Sequence, residues 1–136
     1  MTSRLNPYLS FSDDARQALE FYRQVFGGEL AVSTFGEAGG ATGPDADKVM
    51  HGQLETPAGY TLMASDTPAG MDRTVGTNIS VSLSGDDADQ LRRYFEGLSR
   101  GGTVTMPLEK QVWGDEFGML VDRFGVQWMV NVSQSA

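Results

Sequence analysis

The sequence predicts an α+β fold made of two βαβββ modules, and three observations lead to this class. The first is an internal repeat: residues 52–65 (GQLETPAGYTLMAS) align without a gap to residues 118–131 (GMLVDRFGVQWMVN), so that Met63 meets Met129. Each copy has the pattern of a hairpin, two short strands around a turn. The second observation is a strand with alternating polar and apolar residues ahead of each copy. The third is a helix with capping residues that follows each of these strands. We therefore expect a single domain, residues 1–136, with modules at approximately 4–70 and 76–134.

The first strand of each module alternates polar with apolar residues. Residues 6–12 (NPYLSFS) and 78–84 (NISVSLS) both show the two-residue period of a half-buried strand. This period predicts that Phe11 and Leu83 face the helices. The polar residues of both strands should then face the opposite side.

A helix follows each of these strands. The first is predicted to begin near Asp13 or Asp14 and to run through ARQALEFYRQVF, and the second begins near Asp86 or Asp87 and runs through ADQLRRYFEGLS. A glycine pair lies at or just beyond the end of each. Acidic residues at the N-cap and glycine at the C-terminal end are typical start and stop signals of helices.

A further strand follows each glycine pair, within ELAVSTF in the first module and TVTMPL in the second. In the first module, residues 36–48 (GEAGGATGPDADK) separate this strand from the hairpin. The segment is rich in glycine and has no hydrophobic period, so it is predicted to be a mobile surface loop. A phosphate-binding loop is the weaker alternative, because neither the P-loop pattern nor GxGxxG is present and no helix opens directly behind it.

Composition argues against several classes of partner. The chain has 18 acidic and 10 basic side chains, a formal charge of −8, and the basic residues are scattered, so nucleic acid is not an expected partner. The absence of cysteine removes disulfides and thiolate chemistry and suits a reducing compartment. No run of residues is apolar enough for a signal core or a membrane span. We expect a cytoplasmic protein that does not act at a membrane.

The paired βαβββ order resembles the vicinal oxygen chelate superfamily, which includes glyoxalase I, bleomycin-resistance proteins and extradiol dioxygenases. More narrowly, the PhnB-like branch is indicated by NPYLSF, ALEFYRQVFGGEL, VMHGQL, LMASD and VWGDEFGMLVDRFGVQWMVNV, which together extend over essentially the whole chain. The resemblance implies eight strands that curve into a U-shaped mixed sheet, with helices on the convex side and a ligand cleft on the concave side. It also implies a homodimer.

Metal-dependent members of that superfamily hold a divalent ion with four cleft side chains: His, Gln or Glu on the first and fifth strands, and Glu on the fourth and eighth. The resemblance places Asn6, Met63, Asn78 and Met129 at these positions. Carboxamides are weak neutral ligands, and thioethers prefer soft ions such as Cu(I). We therefore expect the family's cleft without its usual metal and without another cofactor. A copper site at the two methionines is a minor alternative, because methionine is far more often a flexible packing residue.

His51 is the only histidine in the chain. The strand period places it on the third strand together with Gln53, both facing the cleft. A lone histidine is usually a hydrogen-bonded structural residue, whereas ligand contact or acid–base catalysis is the alternative. A metal site would need carboxylates nearby; Glu55 and Asp66 lie on neighbouring strand positions, and Glu116 is predicted to face away.

Trp113 precedes the seventh strand, at the rim of the implied cleft. It could stack on a ligand, or it could cover the core or a dimer contact. The predicted function is binding of a small organic molecule in the concave cleft without the usual divalent metal. The alternatives are an enzyme of the lyase, isomerase or dioxygenase type that uses His51, and a purely structural or partner-binding role. The residues expected at the ligand-binding cleft are Asn6, Tyr8, His51, Thr61, Met63, Asn78, Trp113, Gln127 and Met129.

Overall fold

The computed structural model describes residues 3–134 and divides the chain into two compact units, Met1–Val75 and Gly76–Ala136. In the first unit the elements are β1 (Tyr8–Phe11), α1 (Ala15–Phe26), β2 (Glu29–Thr34), α2 (Phe35–Gly39), β3 (Val49–Glu55) and β4 (Thr61–Asp66). In the second unit they are β5 (Val81–Gly85), α3 (Ala88–Ser99), β6 (Thr103–Lys110), β7 (Glu116–Val121) and β8 (Gln127–Val132).

Each unit contains one four-stranded mixed sheet. The strand orders are β1-β4-β3-β2 and β5-β8-β7-β6, with the first strand of each unit parallel to the last and the other pairs antiparallel. The two sheets therefore share one topology. The predicted α+β class and the βαβββ order of each module are confirmed.

The helix ends agree with the sequence signals, but the two N-termini are satisfied differently. At α3 the Asp87 side chain accepts a hydrogen bond from the Gln90 amide, 3.2 Å away. At α1 the N-cap residue Asp14 makes no side-chain cap, and the amide of Ala15 instead donates to Asp66 from the end of β4 at 2.9 Å. A side chain distant in sequence thus replaces the local cap that the sequence predicts.

Two predicted elements differ from the structure. The first strands are shorter than expected, because β1 begins at Tyr8 and β5 at Val81, so Asn6 and Asn78 precede the strands. Pro7 lacks an amide hydrogen and contributes only its carbonyl, which accepts from the Met63 amide at 3.1 Å. The segment predicted as a loop begins with the short helix α2, in which Thr34 Oγ1 accepts from the Glu37 amide at 3.1 Å.

The core of each unit lies between the helix and one face of the sheet. Two glycines at matching positions of the repeat allow this close packing. A Cβ on Gly52 would lie 2.3 Å from Leu19 Cδ1 of α1, and a Cβ on Gly118 would lie 2.8 Å from Phe95 Cε2 of α3. The largest side chains that are fully buried are Trp128, Tyr22, Phe11, Leu19, Leu54, Leu91, Leu98 and Leu120.

The hairpin turn after β3 and the turn after β7 also match. Thr56 Oγ1 accepts from the Tyr60 amide at 2.9 Å, and at the equivalent position Asp122 accepts from the amides of Phe124 and Val126 at 2.8 and 3.0 Å. Asp122 also accepts from Trp128 Nε1 at 2.9 Å. The repeat therefore conserves turn geometry with different side chains. No helix within residues 3–134 is long and apolar enough to cross a membrane.

Candidate functional site

The face of the first sheet opposite α1, called here the open face, carries four side chains of the predicted site, Tyr8, His51, Thr61 and Met63. The register sets Tyr8 beside Met63, Met63 beside Gln53, and Glu55 beside Thr61. Because side chains alternate along a strand, these residues project from the same side of the sheet. The open face consists of Tyr8, Ser10, Glu29, Ala31, Ser33, His51, Gln53, Glu55, Thr61, Met63 and Ser65.

A chain of hydrogen bonds crosses this open face. The Tyr8 hydroxyl lies 3.2 Å from His51 Nδ1, and His51 Nε2 lies 3.4 Å from Gln53 Oε1. Gln53 Nε2 donates to Glu55 Oε1 at 2.5 Å. The Tyr8 side chain reaches over β4 to contact β3, and its ring centroid lies 5.7 Å from that of His51. Four side chains from two strands are thereby connected into one array.

Glu55 is the acidic end of this array. Thr61 Oγ1 donates to its second oxygen at 2.7 Å, and Arg4 Nη2 lies 3.4 Å from its first. The hydrogen bonds from Thr61 and Gln53, together with the Arg4 guanidinium, hold the pKa of Glu55 below its ordinary value. Glu55 is therefore an ionised, acceptor-only group at neutral pH.

A groove of 370 Å³ lies along β2 and β3, on this side of the sheet. Its volume is within the range of about 300–1,000 Å³ that is usual for small-molecule sites. His51, Gln53 and Glu55 of the array form one wall, and the β2 residues supply an acidic and a small polar group. The lining residues are Glu29, Leu30, Ala31, Ser33, His51, Gln53 and Glu55.

The equivalent face of the second sheet is chemically different. The register sets Met106 beside Met119 and Met119 beside Met129, so three thioether side chains form a row across three neighbouring strands. Ser82 continues the row beside Met129. The corresponding row of the first unit is Ala31, Gln53, Met63 and Tyr8. The two copies of the module therefore share a backbone but present a polar array in one case and a methionine row in the other.

Trp113 lies in the connection between β6 and β7. Its ring contacts the edge of Phe117 at a centroid distance of 6.0 Å, and 59% of the side chain is exposed in the single chain. The exposed part of the indole is accessible for ligand stacking or a partner contact, and the role of Trp113 stays a prediction. Gln127, predicted to face the cleft, is half-buried at the start of β8 and donates to the Ile79 carbonyl at 3.4 Å.

The predicted site residues fall in both units. Tyr8, His51, Thr61 and Met63 lie together on the open face of the first sheet, and Met129 lies in the methionine row of the second. Asn6 and Asn78 stand outside the strands, contrary to the strand bounds expected for them. Sequence reasoning did not assign Arg4 to this surface, and it considered Glu55 only as a metal ligand.

The donor groups do not fit the divalent ion that metal-dependent relatives use. Within residues 3–134, no three His, Cys, Asp or Glu side chains are grouped so that they could hold one ion. Asp66, a possible helper, instead accepts from the backbone amides of Ala15 and Val49 at 2.9 and 2.8 Å. Glu116 forms a bidentate pair with Arg92. The thioethers of Met63 and Met129 are soft neutral donors, unsuited to Mg²⁺, Mn²⁺ or Ni²⁺.

The repeated mixed sheets and their packed helices define a known class. The chain belongs to the Glyoxalase/Bleomycin resistance protein/Dioxygenase superfamily, whose family model matches residues 4–130. The resemblance inferred from the sequence is confirmed at this level.

Individual relatives extend over nearly the whole chain. Protein YjdN of Escherichia coli (strain K12) is 30% identical over 141 residues, with 94% of each chain covered. The crystal structure of protein PA1353 from Pseudomonas aeruginosa is 38% identical with a TM-score of 0.87, covering 98% of this chain and 100% of that one. A structure from Bacillus cereus described as a putative 3-demethylubiquinone-9 3-methyltransferase, PhnB protein, shares the fold at 23% identity, a TM-score of 0.76, and coverage of 96% and 100%.

Proposed function

We propose that this protein binds a small organic molecule without the divalent metal of its metal-dependent relatives. The observation that carries the proposal is the connected array of Tyr8, His51, Gln53 and Glu55 beside a groove of 370 Å³. Oriented donors and acceptors in a concave surface are what small-molecule sites use to fix a ligand. The residues that the sequence predicts at the ligand-binding cleft stay predicted ligand contacts.

The donor chemistry supports the metal-free part of the proposal. Methionine occupies the fourth-strand and eighth-strand positions at which metal-dependent relatives carry glutamate. A hard divalent ion bound there would lack the charged oxygen ligands that compensate its loss of hydration. We therefore propose that binding depends on hydrogen bonds and apolar contact rather than on a metal.

Metal analysis tests this directly. Protein purified without chelators is expected to contain Mn, Ni, Zn and Fe well below one equivalent per chain, as measured by inductively coupled plasma mass spectrometry. Incubation with each ion followed by desalting should leave the content unchanged. One tightly retained equivalent of any of these ions would contradict the proposal.

Ligand binding is tested by screening small organic molecules for thermal stabilisation. A matched pair of variants locates the site: Gln53→Ala removes an amide from the open face, and Gln17→Ala makes the same change on the exposed surface of α1. We expect a stabilising ligand to lose about tenfold in affinity with Gln53→Ala and to bind Gln17→Ala normally. Equal affinities for both variants would exclude the open face as the site.

An enzyme is the second candidate, favoured by the contact of Tyr8 with His51. Such a protein would use an imidazole as an acid or base in a lyase or isomerase reaction. His51→Ala is then expected to lower turnover by about 100-fold or more while the fold and ligand binding are retained. Steady-state kinetics and circular dichroism would measure both. Turnover that does not depend on His51 would remove this candidate.

The homodimer and the cytoplasmic location also belong to the proposal. Both follow from the family resemblance and the composition. The exposed indole of Trp113 is consistent with a surface that a partner subunit covers, because aromatic side chains are enriched at such interfaces.

A further inference from the structure

His51 has both ring nitrogens engaged within the protein. Nδ1 lies against the Tyr8 hydroxyl and Nε2 against the side-chain carbonyl of Gln53. The ring is half-buried, whereas Tyr8 is 50% exposed on the edge strand β1. The phenol oxygen thus lies beside His51, which lines the groove, and a ligand that extends from the groove over His51 would meet this oxygen without breaking either hydrogen bond of the imidazole.

The direction of each hydrogen bond follows from the acidic end of the array. An ionised Glu55 can only accept, so the amide NH₂ of Gln53 must be turned toward it. The carbonyl of Gln53 is then turned toward His51 and can only accept. Nε2 of His51 must carry the hydrogen, and Nδ1 is left with a lone pair that accepts from the Tyr8 hydroxyl.

We propose that Tyr8 is the group that exchanges a proton with the bound molecule, and that His51 is a positioning base that acts through it. Gln53 and Glu55 hold the imidazole in the tautomer that this role requires. The inference rests on the proposed function in one respect, that the open face receives the ligand. It concerns which residue touches the ligand and needs no knowledge of the ligand's identity.

The proton transfers balance without any further reagent. The Tyr8 O–H bond breaks, its proton forms a bond to Nδ1 of His51, and a phenolate stands beside an imidazolium. An acidic bond of the ligand then breaks, its proton forms the new O–H bond of Tyr8, and the electron pair remains on the ligand. Return of a proton along the same route restores the starting state.

Charged neighbours of the pair are few on this side of the sheet. β2 contributes Glu29, β3 contributes Glu55, and the segment before β1 contributes Arg4, which pairs with Glu55. β4 contributes no charged side chain to the open face, where it carries Thr61, Met63 and Ser65. Tyr8 and Gln53 are therefore the groups in direct contact with the two ring nitrogens of His51.

The tautomer can be measured in the protein as it is. Because the chain has a single histidine, long-range ¹H–¹⁵N spectra of ¹⁵N-histidine-labelled protein show one imidazole. The expected result at a pH where the ring is neutral is protonated Nε2 and unprotonated Nδ1. Gln53→Ala should shift the population toward the other tautomer, and Gln17→Ala should leave it unchanged. A dominant Nδ1–H tautomer in the unmodified protein would overturn the proposal.

Reactivity of the phenol tests the role of the base. The tyrosine oxygen attacks the acetyl carbonyl of N-acetylimidazole while His51 takes up the phenol proton; the acyl C–N bond breaks, and the departing imidazole anion takes up that proton from the His51 imidazolium. Acetylation of Tyr8, followed by peptide mass spectrometry, is expected to slow about tenfold in His51→Phe. Tyr60, which packs against Phe26, serves as the internal reference.

A second substitution at His51 separates its basicity from its capacity to accept a hydrogen bond. His51→Gln keeps a hydrogen-bond acceptor but has no basic nitrogen, so Tyr8 should react as slowly as in His51→Phe. Recovery of the full rate in His51→Gln, or an unchanged rate in His51→Phe, would show that His51 is not the base. Neither measurement uses a ligand. Failure of the proposed proton transfer between Tyr8 and His51 can therefore be distinguished from failure to find a ligand in the screen.

Discussion

Gly28→Ala is expected to lower the free energy of unfolding by about 3–5 kcal/mol. Gly28 has φ +107°, in the region that side-chain-bearing residues rarely adopt, and a Cβ there would lie 2.0 Å from the carbonyl oxygen of Glu55. The obstructing atom belongs to the backbone at the end of β3, so it cannot rotate away. Denaturant unfolding followed by circular dichroism gives the change in free energy.

Two glycines of the second unit separate the causes of this effect. Gly102→Ala introduces a similar clash, 2.3 Å from the carbonyl oxygen of Val121, without a positive φ. Gly125→Ala introduces a positive φ of +87° with no atom within 4 Å of the new Cβ. We expect about 2–3 kcal/mol for the clash alone and about 1–2 kcal/mol for the backbone strain alone. A loss in Gly28→Ala no larger than in Gly125→Ala would contradict the predicted clash.

Asp66→Ala is expected to cost about 3 kcal/mol of stability. The carboxylate is only 5% exposed and accepts from the amides of Ala15 and Val49, so its removal leaves the first amides of α1 and β3 without this partner. A charged acceptor with two short backbone hydrogen bonds is difficult for water to replace at a buried site. Thermal and denaturant unfolding would both report the loss.

Matched substitutions define what Asp66 contributes. Asp66→Asn keeps one acceptor oxygen and should lose less than Asp66→Ala. Asp72→Ala makes the same truncation at an exposed position nearby and should change stability by less than about 0.5 kcal/mol. If Asp66→Ala were as mild as Asp72→Ala, the carboxylate would have no structural role, and its assignment to the helix start would fail.

The module order and the helix ends could be predicted because their signals are local. Acidic residues precede Ala15 and Ala88, glycines follow both helices, and the hairpin repeat fixes the strands around each turn. Helix α2 was predicted as loop although its signal is also local. Thr34 and Glu37 have the spacing of a capping box, which the abundance of glycine in the segment obscured.

The array on the open face could be predicted only in part. Strand period places His51, Gln53 and Glu55 on one face, since they stand two residues apart. The contact with Tyr8 depends on β1 pairing with β4 and on a side chain long enough to cross that strand. Such pairing joins residues 43 apart in sequence, and no local pattern encodes it. Capping of α1 by Asp66 was missed for the same reason.

The alignment of Met63 with Met129 was a correct sign of the repeat, but it did not reveal that their surroundings differ. Met63 stands between Gln53 and Tyr8, whereas Met129 stands between Met119 and Ser82. Equivalent positions in a repeat share the same place in the backbone. The chemical environment of each position is set by neighbouring side chains, which the alignment matches less closely. A copper site at the two methionines stays a prediction of the minor alternative.

The division of each strand between a packed side and an open side has a consequence for how such proteins diversify. Residues that fill the core, together with the close-contact glycines, constrain every second position, while the positions between them are largely released from that constraint. Substitutions on the open side can therefore change the chemistry of that surface at little cost in core packing. The polar surface of one copy and the methionine surface of the other are two outcomes of that freedom within a single polypeptide.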